Sequence, residues 1–549
     1  MSDCRAGRKF RREVEALSQQ SSQRNVYPRP DLYILDKYLK SSPNSRFAPN
    51  DPNISSTATD EGVTSNFVVM HDIKEGTNAA FGSKPHDIDN FALVPKKKPH
   101  LLFMRGYGST QWLATIGEIY KINPELYRRH LSFEPFSSGT QEFYSSPALP
   151  SSSVRIFDLT ISTVYCRNVA DTAYEPEDLQ EARKLQARAL DQYFKQFCDR
   201  VQLADSVVRK CLLLSKREYV LEQTITIEVR HREETCHAIV WLDSGKDLSH
   251  SVQGPWSPLS GTRPWETRFV PVIVHQAVDA RSHSTLDRSE PVMGSRSVPT
   301  SSENNPPPSR QETEWRAAQN ICLLPFQYGS MIDREVAEQD ALYAVSEVFQ
   351  FAASSELQFL NLLHGRIKHE LSFTGEQQKM GRRNDAVSLL NLRFIKTQLI
   401  SHAQRLAETV RTLETCDLLG WQRDQESPKA QQRARLLLSD FGYLLQRAEA
   451  LARECDSGID TLVNSSILEE SRRSTENAIR VQKLTVLATI FIPLSFVCTV
   501  WGMNFQELGS GTQPVWMWFV TAGPVILVSL LMYHFDTLIH LLRTTFGPD

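Results

Sequence analysis

Two charge-free apolar stretches near the C-terminal end constrain this chain more than any other feature. Residues 484–505 contain no Asp, Glu, Lys or Arg, and neither do residues 515–533. Each runs to about 20 residues, the length a helix needs to cross about 30 Å of hydrocarbon. Pro493 lies in the first stretch and Gly523-Pro524 in the second. Such breaks are tolerated where neighbouring helices or water satisfy the freed backbone groups. Trp501, Trp516 and Trp518 flank the connecting hairpin, where indole rings favour the membrane–water interface. Arg472, Arg473, Arg480 and Lys483 immediately precede the first span, the 506–514 loop carries only Glu507, and Arg543 follows the second span. The positive-inside rule therefore places both termini in the cytosol or matrix and the loop outside.

The rest of the chain is of a different kind. The whole chain has 549 residues, 41% hydrophobic and 23% charged, enough apolar material for a soluble core. The 61 Lys and Arg nearly balance the 64 Asp and Glu, for a formal charge of −3. That balance argues against nucleic acid as a partner, which a strong basic excess would favour. The nine cysteines include no C-x-x-C pair, so free thiols are expected rather than a disulfide framework or a zinc knuckle. Cys236, His237 and His231 lack the second cluster that a metal site would need. The basic run at Arg5, Arg8, Lys9, Arg11 and Arg12 resembles part of a transit peptide, but Asp3, Glu13 and Glu15 interrupt it. The Pro-Lys-Lys-Lys-Pro run at 95–99 reads as a solvated linker.

The chain divides by pattern. Residues 1–99 are rich in Ser, Asn, Asp and Pro and are expected to be mostly disordered. Residues 100–276 alternate strand-like runs with helical stretches, among them a helix expected from Glu177 to about Leu214, and read as a cytosolic mixed α/β domain. Residues 277–312, with three consecutive prolines at 306–308, read as a low-complexity linker or insertion. Residues 313–483 read as a cytosolic helical region. There Leu437, Phe441, Leu444, Ala448, Leu451, Cys455, Ile459 and Leu462 form a heptad-like, coiled-coil seam. No proline lies between Pro428 and Pro493, so one long stalk helix is expected to continue into the first transmembrane helix, 484–505. The outer loop 506–514, a second transmembrane helix 515–535 and a cytosolic tail 536–549 complete the order.

The first span ends in Trp501-Gly502-Met503-Asn504-Phe505. Before that come Lys483-Leu484-Thr485 and Thr489-Ile490-Phe491-Ile492-Pro493-Leu494-Ser495-Phe496. Over residues 477–505, without a gap, this resembles the CorA family of magnesium channels, whose pattern runs T-I-F-x-P-L-[ST]-F and then Y-G-M-N-F. Trp501 stands where the family usually has Tyr. The likeness extends more loosely over the helical region from 335, and Ile122-Asn123-Pro124-Glu125-Leu126 is similar to an early cytosolic helix of the family.

The resemblance implies an α+β membrane protein: a funnel-shaped homopentamer in which an αβα cytosolic domain leads through the stalk helix into the pore. It implies a selectivity filter at Gly502, Met503 and Asn504, with the Asn504 side-chain and Gly502 main-chain carbonyls as the metal-facing oxygens. A neutral ring of such dipoles suits Mg²⁺, which gives up its waters reluctantly and is held by its outer shell. Ser495, Ile492, Leu484 and Val481 are implied as pore-lining, the last two as a hydrophobic constriction that gates by dewetting. The alternative for these four is packing against lipid or another helix. Glu507 is the single acid at the outer mouth, where the family often has an acidic M-P-E-L-like stretch.

The expected function is passive transport of divalent cations, most naturally Mg²⁺ uptake, with the lipid bilayer and further copies of the chain as partners. A divalent ion gains about 4.6 kcal/mol per 100 mV, and no Walker A motif is present. No cofactor is implied beyond Mg²⁺ as the transported and regulatory ion. Zn²⁺, Co²⁺ or Ni²⁺ transport on the same fold is one alternative. A non-conducting, membrane-anchored interaction protein is another. No Gly-x-Ser-x-Gly, dinucleotide glycine pattern or His-Glu-x-x-His suggests an enzyme. The plasma membrane is the favoured location, with mitochondrial and vacuolar membranes as alternatives.

Overall fold

The computed structural model describes residues 7–20, 26–40, 66–82, 84, 86–94, 98–132, 149, 155–166, 179–215, 218–230, 236–248, 250–256, 268–274, 319–376, 383–417, 420–502, 506, 512 and 514–533. It divides into two units. The first takes in residues 1–377 and 390–456, the second residues 378–389 and 457–549.

In the first unit the helices are α1 (Arg8–Ser18), α2 (Tyr33–Lys40), α3 (Asp87–Leu93), α4 (Thr110–Tyr120), α5 (Pro124–His130), α6 (Leu179–Arg200), α7 (Arg334–Gln339), α8 (Ala341–Ala344), α9 (Ser346–Glu376) and most of α10 (Arg383–Thr415). The strands are β1 (Val68–Asp72), β2 (Asn78–Phe81), β3 (His100–Arg105), β4 (Ile156–Cys166), β5 (Lys210–Leu213), β6 (Glu218–Val229), β7 (Cys236–Leu242) and β8 (Arg268–Val270). They form one sheet in the order β2-β1-β3-β7-β6-β4-β8, with β5 also on β6. Only β3 and β7 run parallel; the other pairs are antiparallel.

The central strands explain their own position. Every residue of β3 and of β7 is buried, as a strand covered on both faces requires. Leu102, Met104, Ile239 and Trp241 belong to a core shared with Phe10, Leu35, Trp112, Ile116, Tyr127 and Phe197 from the helices. The opposite face, with Phe103 and Val240, meets other partners: Phe103 packs on Tyr328, with ring centroids 4.9 Å apart. On β4, Ser162 N–H donates to Ser355 Oγ of α9 at 2.8 Å, and that hydroxyl donates back to Ser162 O at 3.0 Å. Helices thus cover both faces of a mixed sheet.

The expectation that residues 1–99 are mostly disordered is corrected. Helix α1 buries Phe10 and Val14, α2 buries Leu35, Tyr38 and Leu39, and β1 is an interior strand between β2 and β3. Phe10 and Val14 stand one helical turn apart, so the Arg-Lys run marks the solvated face of an amphipathic helix. The Phe10 ring seats against α4 where Gly117 leaves space: a Cβ there would come within 2.7 Å of it. The helix expected from Glu177 to Leu214 is also corrected, since α6 ends at Arg200 and β5 follows. Lys210 to Leu213 pair with β6, a tertiary constraint that the local pattern does not contain. Within the helical region expected over 313–483, the chain forms the short helices α7 and α8 before the long α9. The Asp340 carboxylate caps α8 by accepting from Tyr343 N–H at 2.8 Å.

Helix α11 (Pro428–Trp501) is unbroken over 74 residues and belongs to both units. Its seam residues Leu437, Phe441, Leu444, Ala448, Leu451, Cys455 and Leu462 are all buried, as expected, while Ile459 is half-buried. Helix α12 (Trp516–Tyr533) is the second apolar helix. Both are long and apolar enough to cross a membrane.

Candidate pore helix and outer mouth

The candidate site lies at the end of α11. Helical residues advance about 100° each around the axis. On that wheel Val481, Leu484, Ile492 and Ser495 fall within an arc of about 80°. All four are exposed in the isolated chain, Ile492 to 69% and Leu484 to 66%. Val497 and Trp501 lie roughly opposite that arc. Among the described residues of the two apolar segments, Val497 and Ala522 are the buried side chains. The Trp501 indole N–H donates to Thr521 Oγ1 of α12 at 3.0 Å. The face carrying the four pore candidates is therefore turned away from the protomer's own second apolar helix.

Several hydroxyls of these helices are satisfied from within. The hydroxyls of Thr485, Thr489 and Thr499 donate to the carbonyls of Val481, Thr485 and Ser495 at 2.9, 2.8 and 2.7 Å. Ser529 does the same to Val525 O at 2.9 Å. Such back-bonding suits hydrocarbon, where an unpaired hydroxyl would be costly. Pro493 and Pro524 sit inside their helices and each removes one ladder donor.

Gly502 directly follows the last residue of α11. Its φ is +42°, a left-handed conformation, and its N–H donates to Cys498 O at 2.9 Å. The left-handed region carries a steric penalty for any residue with a Cβ, so glycine suits the point where the helix stops. Met503, Asn504 and Glu507 lie outside the described residues. Of the expected filter and mouth, only Gly502 is therefore placed. The basic group before the span is on α11: Arg472, Arg480 and Lys483 are exposed, and Arg473 pairs with Glu469 at 2.6 Å.

Two buried ionic clusters in the first unit went unnoticed in the sequence. In one, His402 of α10 lies between Glu356 of α9 and Glu222 of β6. Its Nδ1 is 2.7 Å from Glu356 Oε1 and its Nε2 is 2.9 Å from Glu222 Oε1. Arg405 and Lys210 each reach the other Glu222 oxygen at 3.3 Å. Burial opposes the imidazolium charge, but the two flanking carboxylates overcome it and raise the His402 pKa. Burial likewise opposes the Glu222 charge, and His402, Arg405 and Lys210 more than compensate, so its pKa falls. In the other cluster, Asp243 takes a two-pronged contact from Arg209, at 2.7 and 2.8 Å, and lies 3.2 Å from His130 Nε2. His130 stacks on Trp241 at 4.0 Å, and burial keeps its pKa low. Both histidines are 1% exposed, so these clusters join elements of the fold rather than face a substrate. No spacing announces them, because Glu222, Glu356 and His402 are far apart in the chain.

His237 Nε2 is 2.9 Å from Glu338 O, and His231 lies outside the described residues. No group of three His, Cys, Asp or Glu arranged to hold a metal occurs among the described residues. Cys166, Cys211, Cys236, Cys322, Cys416, Cys455 and Cys498 are free thiols.

Residues 345–536 match the family described as CorA-like Mg²⁺ transporter protein. The solved structure described as the full-length CmaX protein is similar to 86% of this chain over 98% of its own length, at 12% identity and a TM-score of 0.38. No curated protein matches the chain.

Proposed function

We propose, from the CorA-like Mg²⁺ transporter domain at residues 345–536, that this protein is a passive divalent-cation channel whose natural cargo is Mg²⁺. The family implies divalent-cation transport across a membrane. The observation that carries the reading furthest is the end of α11. There a continuous helix presents Val481, Leu484, Ile492 and Ser495 on one exposed arc and stops at a left-handed Gly502 followed in sequence by Met503 and Asn504.

One protomer supplies one such arc, so a conducting path needs a closed ring of copies, five on the resemblance. In that ring Asn504 and Gly502 offer carbonyl oxygens to the waters around the entering ion. Mg²⁺ binds its inner waters tightly, so outer-shell recognition avoids a dehydration cost that a narrow carbonyl cage would incur. Glu507 adds negative charge at the mouth. Leu484 and Val481 make the narrow dry stretch, and Ser495 offers a hydroxyl ring between the constriction and the mouth. The exposed Arg480 and Lys483, at the inner end of the span, hold that end at the cytosolic interface. Inside the cell, Mg²⁺ held between carboxylates of neighbouring copies would close the pore as the ion accumulates.

Flux in proteoliposomes tests the proposal. With an inside-negative potential, Mg²⁺ entry is expected without ATP, and competition among Mg²⁺, Co²⁺, Ni²⁺ and Zn²⁺ ranks the cargo. No flux of any of the four would sink the channel and leave the membrane-anchored interaction protein as the standing alternative. Preferential Zn²⁺, Co²⁺ or Ni²⁺ entry would retain the pore and reassign its ion.

A further inference from the structure

The hydrogen bond between Trp501 and Thr521 does more than pack two helices. Trp501 is the last residue of α11, immediately before the left-handed Gly502. Thr521 lies in the second turn of α12. The indole N–H donates to Thr521 Oγ1 at 3.0 Å. The Thr521 hydroxyl in turn lies 3.1 Å from both Met517 O and Trp518 O, to which it donates. The indole proton therefore meets an oxygen whose own proton is already committed to the α12 backbone, and the donor order along this relay is fixed. Trp501 is half-buried, and an indole N–H that is partly withdrawn from water gains from such a partner.

We propose that Trp501 and Thr521 form a clasp that positions the outer mouth: it fixes the rotation of the last α11 turn, and with it the direction in which the chain leaves at Gly502. Both residues are positioning residues, acting on the ion through the backbone that follows them. Glycine makes this control necessary, because Gly502 itself resists rotation less than any other residue would. Met503 and Asn504 follow Gly502 in sequence, so the orientation of the last α11 turn sets the point and direction from which both start. The bulky indole at 501, where the related pattern has Tyr, is what carries a donor to the Thr521 hydroxyl.

The clasp rests on the channel reading for its effect on ions, but not for its effect on the mouth. The experiment therefore has two readouts on full-length protein: Mg²⁺-against-Co²⁺ discrimination in proteoliposomes, and the labelling rate of a cysteine at Gln506→Cys with a water-soluble maleimide. The variants are Trp501→Phe, Thr521→Val, the double variant and Thr521→Ser, each normalised to membrane abundance. A neutral hydrogen bond of this kind moves an equilibrium by about three- to tenfold. Trp501→Phe and Thr521→Val are expected to change ion discrimination and speed labelling by that order. The double variant should match either single change, and Thr521→Ser, which keeps the hydroxyl, should behave as the parent. Additive effects, failure of Thr521→Ser to preserve the parental behaviour, or unchanged labelling in both single variants would overturn the clasp. If the parent passes no divalent ion while labelling responds as expected, the channel reading fails and the clasp stands. Normal ion discrimination with unchanged labelling in the variants leaves the channel intact and removes the clasp.

Discussion

At the scale of single residues, Asn504 carries the sharpest expectation. In the proposed ring, Asn504→Ala removes one side-chain carbonyl from every copy, so all of its outer-shell acceptors would go at once and the hydrated ion would meet methyl groups instead. Mg²⁺ uptake should fall by at least about tenfold, the equivalent of losing little more than one net hydrogen bond from the entry step. Membrane abundance should be unchanged, because the change touches no residue of the core described above. Asn504→Asp keeps an oxygen and adds a charge per copy, so it should bind divalents more tightly and release them more slowly. Uptake assays beside quantitative blots check both. Normal Mg²⁺ entry through Asn504→Ala would remove this residue from the filter. Gly502 reached its place for a reason that is local, since its φ of +42° ends a helix where a Cβ is disfavoured.

At the scale of elements, α11 and the packing of α10 are separately testable. Leu484→Ser puts a hydroxyl ring into the proposed dry constriction. Water then enters at lower cost, and basal ion leak should rise several-fold; unchanged leak in a well-expressed variant would place the gate elsewhere. His402 pins α10 to both α9 and β6, and its two nitrogens face two different carboxylates. Only the doubly protonated ring donates to both. His402 has a raised pKa relative to its ordinary 6.5, so its stabilisation is complete below about 6.5 and is lost as pH rises through the folded value. Glu222 has a lowered pKa relative to 4.5, so its share is present above about 4.5 and is lost only as pH falls through the depressed value. Both are in force between those two pH values, and alkaline pH is what loosens the pin. Denaturant midpoints of the parent should fall as pH rises above neutrality. Removing the buried partner in His402→Ala should cost about 3–5 kcal/mol and flatten that alkaline slope. An equally steep slope in the variant would assign the pH dependence to other groups.

At the scale of the whole molecule, the arrangement of charge around the two apolar helices sets an expected topology. Lys and Arg precede the first span and are absent from the 506–514 loop. An accessibility tag in that loop should label from outside, while tags at Met1 and Asp549 should label only after permeabilisation. Opposite labelling of the two termini would rule out a two-span hairpin. The proposed assembly rests on a simpler count: one chain contributes a single arc of pore-lining candidates, so a pore would need copies around an axis.

What the sequence determined by itself was governed by local periodicity and composition. The two apolar helices follow from unbroken absence of charge. The soluble part of α11 follows from a seam at spacings of three and four with no proline between Pro428 and Pro493. Residues 437–455 are buried where that seam places them. Phe10 and Val14 also carried a helical signal, masked by the polar composition around them. Tertiary structure decided the rest, because it depends on partners far apart in the chain. Lys210 to Leu213 became a strand because β6 offered an edge to pair with. The Glu222–His402–Glu356 pin joins residues from a strand and two helices, and the Trp501–Thr521 bond appears only once the two apolar helices lie side by side. A side chain's own neighbours set its helical or extended preference, but its hydrogen-bond partner is chosen by how the elements pack.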